Sequence, residues 1–447
     1  MSLKAAEAVL ASVPPRDLWD RFLIATIFAG MLALAYAAFA TPLLQPIFSI
    51  AGRGEWAQLA TRPTVIWIGM GLLLLLMRTL LWLRYQPFAA APPEDAPMLT
   101  VIIPAYNEGA MVERAIASAA TARYPRGRLE IIAIDDGSTD DTWRHMQHAA
   151  ARFPGLVTAL RLPENRGKRG ALAEGFGRAR GEVLVTVDSD SVIERDTLLA
   201  IAGPFRDPKV GAVAGKVAVL NRKDALIPRM LHVRFVLSFD FLRSAQSMFR
   251  TVFCCPGALA AYRASAVRAV LGRWEAQRFL GTPCTYGEDR ALTNFILGEG
   301  YDSVYQRSAV VHTVVPQTYA KLCKMFIRWD RSYIREEFHF AGIVGKRPPL
   351  WRTLALYECA ISNLRFPIAY LSISLWAMNA LRDPGSIGRM LLAIMVVSTL
   401  YVLYYLRSER SWDFVYGILY AYFSFFALTW IFPYAALTLR ARGWLTR

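Results

Sequence analysis

The stretch Leu99-Thr100-Val101-Ile102-Ile103-Pro104-Ala105-Tyr106-Asn107-Glu108 opens with a short β-rich run and ends in polar residues. The same design returns twice. Glu130–Ile134 leads into Asp135-Asp136-Gly137-Ser138, and Val183–Val187 leads into Asp188-Ser189-Asp190. Between these runs lie helical patterns at Met111–Ala122, Thr139–Ala151 and Lys168–Arg178. Strands that alternate with helices predict βαβ units and a parallel sheet, here from Met98 to about Arg347. In an open α/β sheet, ligands bind beyond the carboxyl ends of the strands. Three polar clusters at three such ends describe one crevice.

Outside this segment the chain changes character. Its 447 residues are 55% hydrophobic and 19% charged, and include 12 Trp and 24 Phe. Soluble domains are usually about 45–50% apolar and about 25% charged, so a membrane protein with a soluble part is expected. Disorder, a collagen-like fibre and a disulfide scaffold are excluded. Phe22–Ile50 and Thr64–Leu83 are expected spans before the α/β segment. Leu354–Leu381, Ile387–Leu406 and Phe414–Leu439 are expected spans after it, each long enough for about 30 Å of hydrocarbon. Two and three make an odd count, which would place the basic end Arg440–Arg447 outside, against the positive-inside tendency. One segment is therefore open to being re-entrant, with Pro433 and Arg365-Phe366-Pro367 marking the two suspects.

Asp224–Phe249 and Lys321–Phe340 are long, helical and mixed in polarity. They read as helices on a membrane surface, or as amphipathic helices packed on the sheet. The five cysteines show no metal or redox spacing and read as reduced cytosolic thiols. The net charge of +16 suits a positive-inside membrane protein with phosphate-bearing substrates. No nucleic-acid module is present.

Asp188-Ser189-Asp190 has the form of a Mn²⁺ or Mg²⁺ site serving a diphosphate, because hard carboxylate oxygens suit such ions. Asn165-Arg166-Gly167-Lys168-Arg169-Gly170 precedes a helix, and its backbone N–H groups with two cations form an anion site. The P-loop pattern is absent, which argues against an ATP-driven transporter.

Together with Tyr106-Asn107-Glu108, Gly287-Glu288-Asp289-Arg290 and Arg328-Trp329, these motifs stand in the order seen in processive family 2 glycosyltransferases, which the chain resembles. The nearest resemblance is to hyaluronan synthases and the nodulation chitooligosaccharide synthases. It lies in Arg243–Ser247, Cys254-Cys255-Pro256-Gly257-Ala258-Leu259, Tyr262-Arg263, Gly287–Asn294 and Trp444-Leu445-Thr446-Arg447. Two departures stand out. Met325-Phe326-Ile327 replaces the glutamines of Gln-Gln-x-Arg-Trp, and Leu445 replaces the glycine of Trp-Gly-Thr. The first puts acceptor recognition and product identity in doubt.

The resemblance implies a cytosolic, Rossmann-like GT-A domain inserted between transmembrane helices of the inner membrane. The implied division is 1–97 with two transmembrane helices, 98–320 catalytic, 321–350 an interface helix, and 351–447 transmembrane helices with a tail. It implies an inverting, single-displacement transfer from UDP-sugars to a growing polysaccharide that leaves through the transmembrane region. Asp289 is the expected base, with Glu288 as fallback and an Asp289–Arg290 salt bridge as the competing reading. By resemblance Tyr106, Glu108 and Asp136 hold uridine, while Asp188 and Asp190 serve nucleotide and metal. Lys168, Arg169, Arg328 and Arg447 face the diphosphate, and Trp444 belongs to the same site. Trp329 floors the acceptor sugar, or anchors at an interface, and Cys255 lines the acceptor pocket as a possible target of thiol reagents. Glu358, Asn363 and Arg365 fit a channel lining, since charged groups in spans usually face a protein or water interior. The leading product is hyaluronan, from UDP-GlcNAc and UDP-GlcA. The alternatives are chitooligosaccharide from UDP-GlcNAc alone and a single sugar placed on a membrane lipid. A sugar-binding transporter without catalysis leaves Asp289 unexplained.

Overall fold

The three apolar runs lie at the heart of an eight-stranded sheet in the computed structural model, which describes residues 18–40 and 63–441. Helices α1 (Leu18–Ala40) and α2 (Pro63–Arg84) come first, followed by β1 (Leu99–Ala105), α3 (Met111–Thr121), β2 (Leu129–Asp135), α4 (Thr142–Arg152) and β3 (Val157–Arg161). Next are α5 (Gly167–Arg178), β4 (Val183–Val187), β5 (Ser191–Ile193), α6 (Thr197–Ala202) and β6 (Val210–Val219). Helix α7 (Leu226–Val236), a π-helical turn (Leu237–Phe241) and α8 (Leu242–Met248) lead to β7 (Leu259–Arg263) and α9 (Ala264–Glu275). A small hairpin of β8 (Arg278–Phe279) and β9 (Thr282–Pro283) precedes α10 (Glu288–Gly298) and β10 (Asp302–Thr313). The remaining helices are α11 (Tyr319–Ile343), α12 (Pro349–Ala380), α13 (Gly385–Glu409), α14 (Phe414–Phe423) and α15 (Ile431–Leu437).

The strand order is β3-β2-β1-β4-β7-β6-β10-β5. Strands β1, β2, β3 and β4 are parallel, as expected. Strand β7 is antiparallel to both β4 and β6, so the sheet is mixed and not wholly parallel. The reason is where β7 enters. Leu259 pairs with Val187, so the chain joins the sheet at the crevice end and runs back. Every residue of β1, β2 and β4 is buried, as required of strands covered on both faces. Val101, Ile103, Ile131 and Val185 pack on one side with α3 and α6. Ile102, Ile132, Ile134 and Leu184 pack on the other with α5 and α9.

The two mixed-polarity helices do not lie free on a surface. Leu231, Val233 and Phe235 of α7 and Leu322, Met325 and Phe326 of α11 are buried. Helix α7 packs between β6 and α14, and α11 against α10 and α15. The second reading of these segments therefore holds.

Among the described residues, α13 is long and apolar enough to cross a membrane. The pair formed by Phe414–Leu428 and Ile431–Leu437 qualifies as one further span, bent by 46°. Helix α12 runs unbroken through Pro367 and carries Arg352, Glu358 and Arg365 before it. Of the two suspects for re-entrance, the break falls in the last segment. The first expected span is described only as far as Ala40.

A buried ion cluster fixes α11 and α12 to the sheet. The Arg347 guanidinium donates to Asp302 Oδ1 at 2.6 Å and to the Tyr301 carbonyl at 2.7 Å. Arg250 Nε donates to Asp302 Oδ2 at 2.6 Å and its guanidinium also pairs with Asp207. Asp302→Ala strands Arg347, which is 3% exposed, and is expected to cost about 3–5 kcal/mol. A fall in the thermal midpoint of the detergent-purified protein checks this, and an unchanged midpoint refutes it.

Candidate active site

The carboxyl end of β4, with those of β6 and β10, meets the N-termini of α5 and α10 around a cavity of about 430 Å³. Lys168, Asp188, Asp190, Glu288, Asp289, Arg328 and Trp329 all line it. Lys168, in the first turn of α5, places Nζ 2.5 Å from Asp188 Oδ1 and 2.9 Å from Glu288 Oε1. Its charge is thus shared between two carboxylates beside any diphosphate. Burial works against the ammonium, but Asp188 and Glu288 hold it well above its ordinary value. Gly257 sits against this group, because a Cβ there would lie 2.6 Å from Lys168 Nζ.

The adjacent acids of α10 have opposite environments. Burial disfavours the Glu288 carboxylate, yet Lys168 outweighs it and the pKa falls to about 2. For Asp289, burial and the neighbouring Glu288 charge raise the pKa. Asp289 Oδ2 accepts from the Gly257 N–H at 3.1 Å and faces Cys254 Sγ at 3.7 Å, while Oδ1 accepts from the Arg290 N–H at 2.7 Å. The Arg290 guanidinium goes elsewhere, to Glu337 Oε1 at 2.9 Å. The competing side-chain salt bridge from Asp289 to Arg290 is therefore not the pairing adopted. Glu288, the fallback base, is committed to Lys168. Gly287 starts α10 with φ +70°, and a Cβ there would run into Ser332 and Arg335 of α11.

Burial first, then the charges of Asp188 and Glu108, push Asp190 up to about 6. Asp190 Oδ1 accepts from Thr313 Oγ1 at 3.2 Å and Ser191 Oγ at 3.1 Å. Negative charge thus accumulates here beyond what Lys168 offsets, which fits a divalent cation bound through hard oxygens. Among the described residues no three His, Cys, Asp or Glu side chains form a ready cage. The fit is to an ion held by one or two carboxylates and completed by substrate phosphates.

Tyr106, Glu108 and Asp136 lie on the neighbouring loops and do not line the cavity itself. Asp136 receives the Arg166 N–H at 2.8 Å and its own N–H donates to the Ala105 carbonyl. Thr142 Oγ1 takes the N–H groups of Glu108 and Gly109, each at 2.8 Å. Two expectations need correction. Arg169 does not line the cavity: it is 4% exposed and donates to the Trp274 carbonyl and Gln277. Cys255 is fully enclosed, with its N–H on Thr293 Oγ1, and Cys254 and Cys359 are the cysteines that line the cavity. Trp444 and Arg447 lie outside the described residues. The last described residue, Ala441, accepts from Tyr286 Oη at 3.0 Å, next to Gly287.

Beyond Trp329, which packs against Phe235 and Phe326, the cavity continues to α2 and α12. Arg78, Glu358, Ser362 and Arg365 line that end, and Asn363 instead donates to Glu337 Oε2 at 2.8 Å. Glu358 accepts from Gln246 at 2.7 Å and pairs with Arg78 at 3.3 Å. Glu337 is a neighbour of the site that sequence reasoning did not single out, while Gly257 stood there only inside a quoted motif and Arg290 as the competing partner of Asp289.

The glycosyl transferase family 2 model matches residues 100–271. An N-acetylglucosaminyltransferase of Azorhizobium caulinodans is 31% identical over 354 residues, 78% of this chain and 87% of that protein. Another, from Mesorhizobium japonicum, is 30% identical over 364 residues, 81% of this chain and 85% of that one. Among solved structures, a mannosyltransferase from Pyrobaculum calidifontis in complex with GDP-Man and Mn²⁺ aligns with a TM-score of 0.59 and 26% identity, covering 80% of this chain and 94% of that chain. The alignment supports the GT-A-like α/β fold.

The adjacent cysteines lead to a direct test. Burial pushes the Cys255 thiol up to about 12, so roughly one in 10⁴ is ionised at pH 8. Burial and the Asp289 charge hold Cys254 higher still. A maleimide should leave both unmodified during the time that labels a surface thiol, as read by peptide mass mapping. Rapid labelling of Cys255 would show that the acceptor cavity reaches it.

Proposed function

The chain belongs to glycosyltransferase family 2, and on that footing we propose that it is a membrane-associated enzyme building β-linked N-acetylglucosamine oligosaccharides from UDP-GlcNAc. The observation that carries this reading is its likeness to N-acetylglucosaminyltransferases along more than four-fifths of their length. Hyaluronan, the leading product on resemblance alone, gives way to the chitooligosaccharide alternative for that reason. The cavity running on from Trp329 to α2 and α12, where Arg78, Glu358, Ser362 and Arg365 line it, supports an acceptor that stays bound and advances as it grows. A single sugar delivered to a lipid would not need that depth. The proposed division keeps 98–320 catalytic and 321–350 as the helix that carries Arg328 and Trp329.

In this reading Asp289 takes the proton from the acceptor hydroxyl as that oxygen attacks the anomeric carbon. The bond to UDP breaks from the opposite face, which inverts the configuration. A base with a raised pKa suits this task near neutral pH. Lys168 and Arg328 offset the charge that develops on departing UDP, as preorganised donors. Asp188 and Asp190 would hold Mn²⁺ or Mg²⁺, which supplies further charge neutralisation when bound. Trp329 offers an aromatic face to the acceptor ring. Tyr106, Glu108 and Asp136 hold uridine, and Trp444 and Arg447 are assigned to the nucleotide.

Purified protein given UDP-GlcNAc alone should make oligosaccharides visible by mass spectrometry. Product that requires UDP-GlcA as well would overturn the assignment. Asp289→Asn should lower turnover by about 10²–10⁴-fold while UDP binding, measured by calorimetry, persists. Near-normal turnover would exclude Asp289 as the base.

Chelation provides a separate check on the carboxylate pair. Excess EDTA should abolish transfer, added Mn²⁺ should restore it, and Asp190→Ala should remain inactive at every Mn²⁺ concentration. Full activity in the chelator would remove the metal from the mechanism.

A further inference from the structure

Asp289 and Arg290 are consecutive, carry opposite charges and face one cavity, yet their side chains do not pair. The Arg290 guanidinium is held instead by Glu337 on α11. Its Oε1 holds the Arg290 guanidinium at 2.9 Å, and the guanidinium lies over the Tyr333 ring, 4.9 Å from its centroid. Its Oε2 is pinned from α12, by Cys359 Sγ at 2.8 Å and by Asn363 Nδ2 at 2.8 Å. With both oxygens engaged, the carboxylate cannot turn away and release Arg290. The ion pair is well enclosed, its two side chains 17% and 14% exposed.

We propose that Glu337 is a positioning residue that keeps Arg290 off Asp289, so that the base stays free to take the acceptor proton. This rests on the assignment of Asp289 as the base. If Arg290 were released, its charge could reach the carboxylate one residue away and stabilise the ionised form. A cation within about 4–6 Å lowers a carboxyl pKa by roughly 1–3 units, and the base weakens accordingly. Helix α12 thereby bears on the chemistry without touching a reacting atom.

Other charged or titratable groups also surround Asp289. On its own helix Glu288 raises its pKa, and from α5 Lys168 lowers it. Cys254 stands before β7, Tyr262 on β7 and Arg243 on α8. From α11, Arg328 acts on Glu288.

The test is the pH profile of kcat/KM in saturating Mn²⁺ for wild type, Glu337→Gln, Glu337→Asp and the double variant Glu337→Gln/Arg290→Met. Glu337→Gln should move the acid limb down by about one pH unit and lower the plateau kcat by roughly 3–10-fold, with the UDP-GlcNAc KM within about twofold of wild type. Glu337→Asp should keep the limb near its original place. Removing Arg290 as well should return the limb to within a few tenths of a unit. Retained UDP binding confirms folding in each case. An acid limb that stays in place in Glu337→Gln, or one that Arg290→Met does not restore, overturns the proposal. Failure of the underlying base assignment is read separately, because Asp289→Asn would then keep its turnover.

Discussion

The ammonium group of Lys168, held between Asp188 and Glu288, is the contact on which the rest of the site depends. It joins the end of β4 to the start of α10 through one side chain at the head of α5. Two carboxylates facing one another repel. The bridge holds them close, keeps Glu288 ionised, and fixes where α10 begins. The next residue is Asp289, so its placement follows from an interaction it does not make. Gly257 and Gly287 are demanded by the same crowding, one beneath the ammonium and one against α11.

Two acids in succession thereby acquire different chemistry. Glu288 is spent on Lys168 and cannot accept a proton near neutral pH. Asp289 keeps backbone donors on both oxygens, with no cationic side chain paired to it. The division is electrostatic and needs no difference in the residues' own character. The same reasoning applies to Asp190, where unrelieved negative charge marks the place for an added cation.

The central strands were legible because β1, β2 and β4 are short apolar runs ending in polar turns, and the sheet buries all of each. Strand β7 left no such mark: Leu259-Ala260-Ala261-Tyr262-Arg263 has two alanines and no β-branched residue, unlike the Val-rich β4 of the same length. Its reversed direction depends on the path taken by α8. The site was legible as motifs and not as side-chain directions. Lys168 and Arg169 are one residue apart on a helix, hence about 100° apart around its axis. Lys168 lines the crevice and Arg169 does not, a division that composition does not show. Cys254 and Cys255 pose the same problem in a loop. Glu337 carried no signal, since its role arises from α10 and α12 meeting α11 through contacts 22 to 47 residues apart in sequence.

The cavity's size has a consequence for the donor as well as the acceptor. At about 30 Å³ each, on the order of a dozen water molecules would fill about 430 Å³. A base able to deprotonate a sugar hydroxyl can also activate one of those waters, and hydrolysis would waste the donor. The saccharide is then more than a substrate: by occupying the volume it displaces the rival nucleophile. On the proposed function, fidelity of transfer over hydrolysis becomes a matter of filling, highest when a chain reaches from Trp329 to Glu358 and lowest at the first addition.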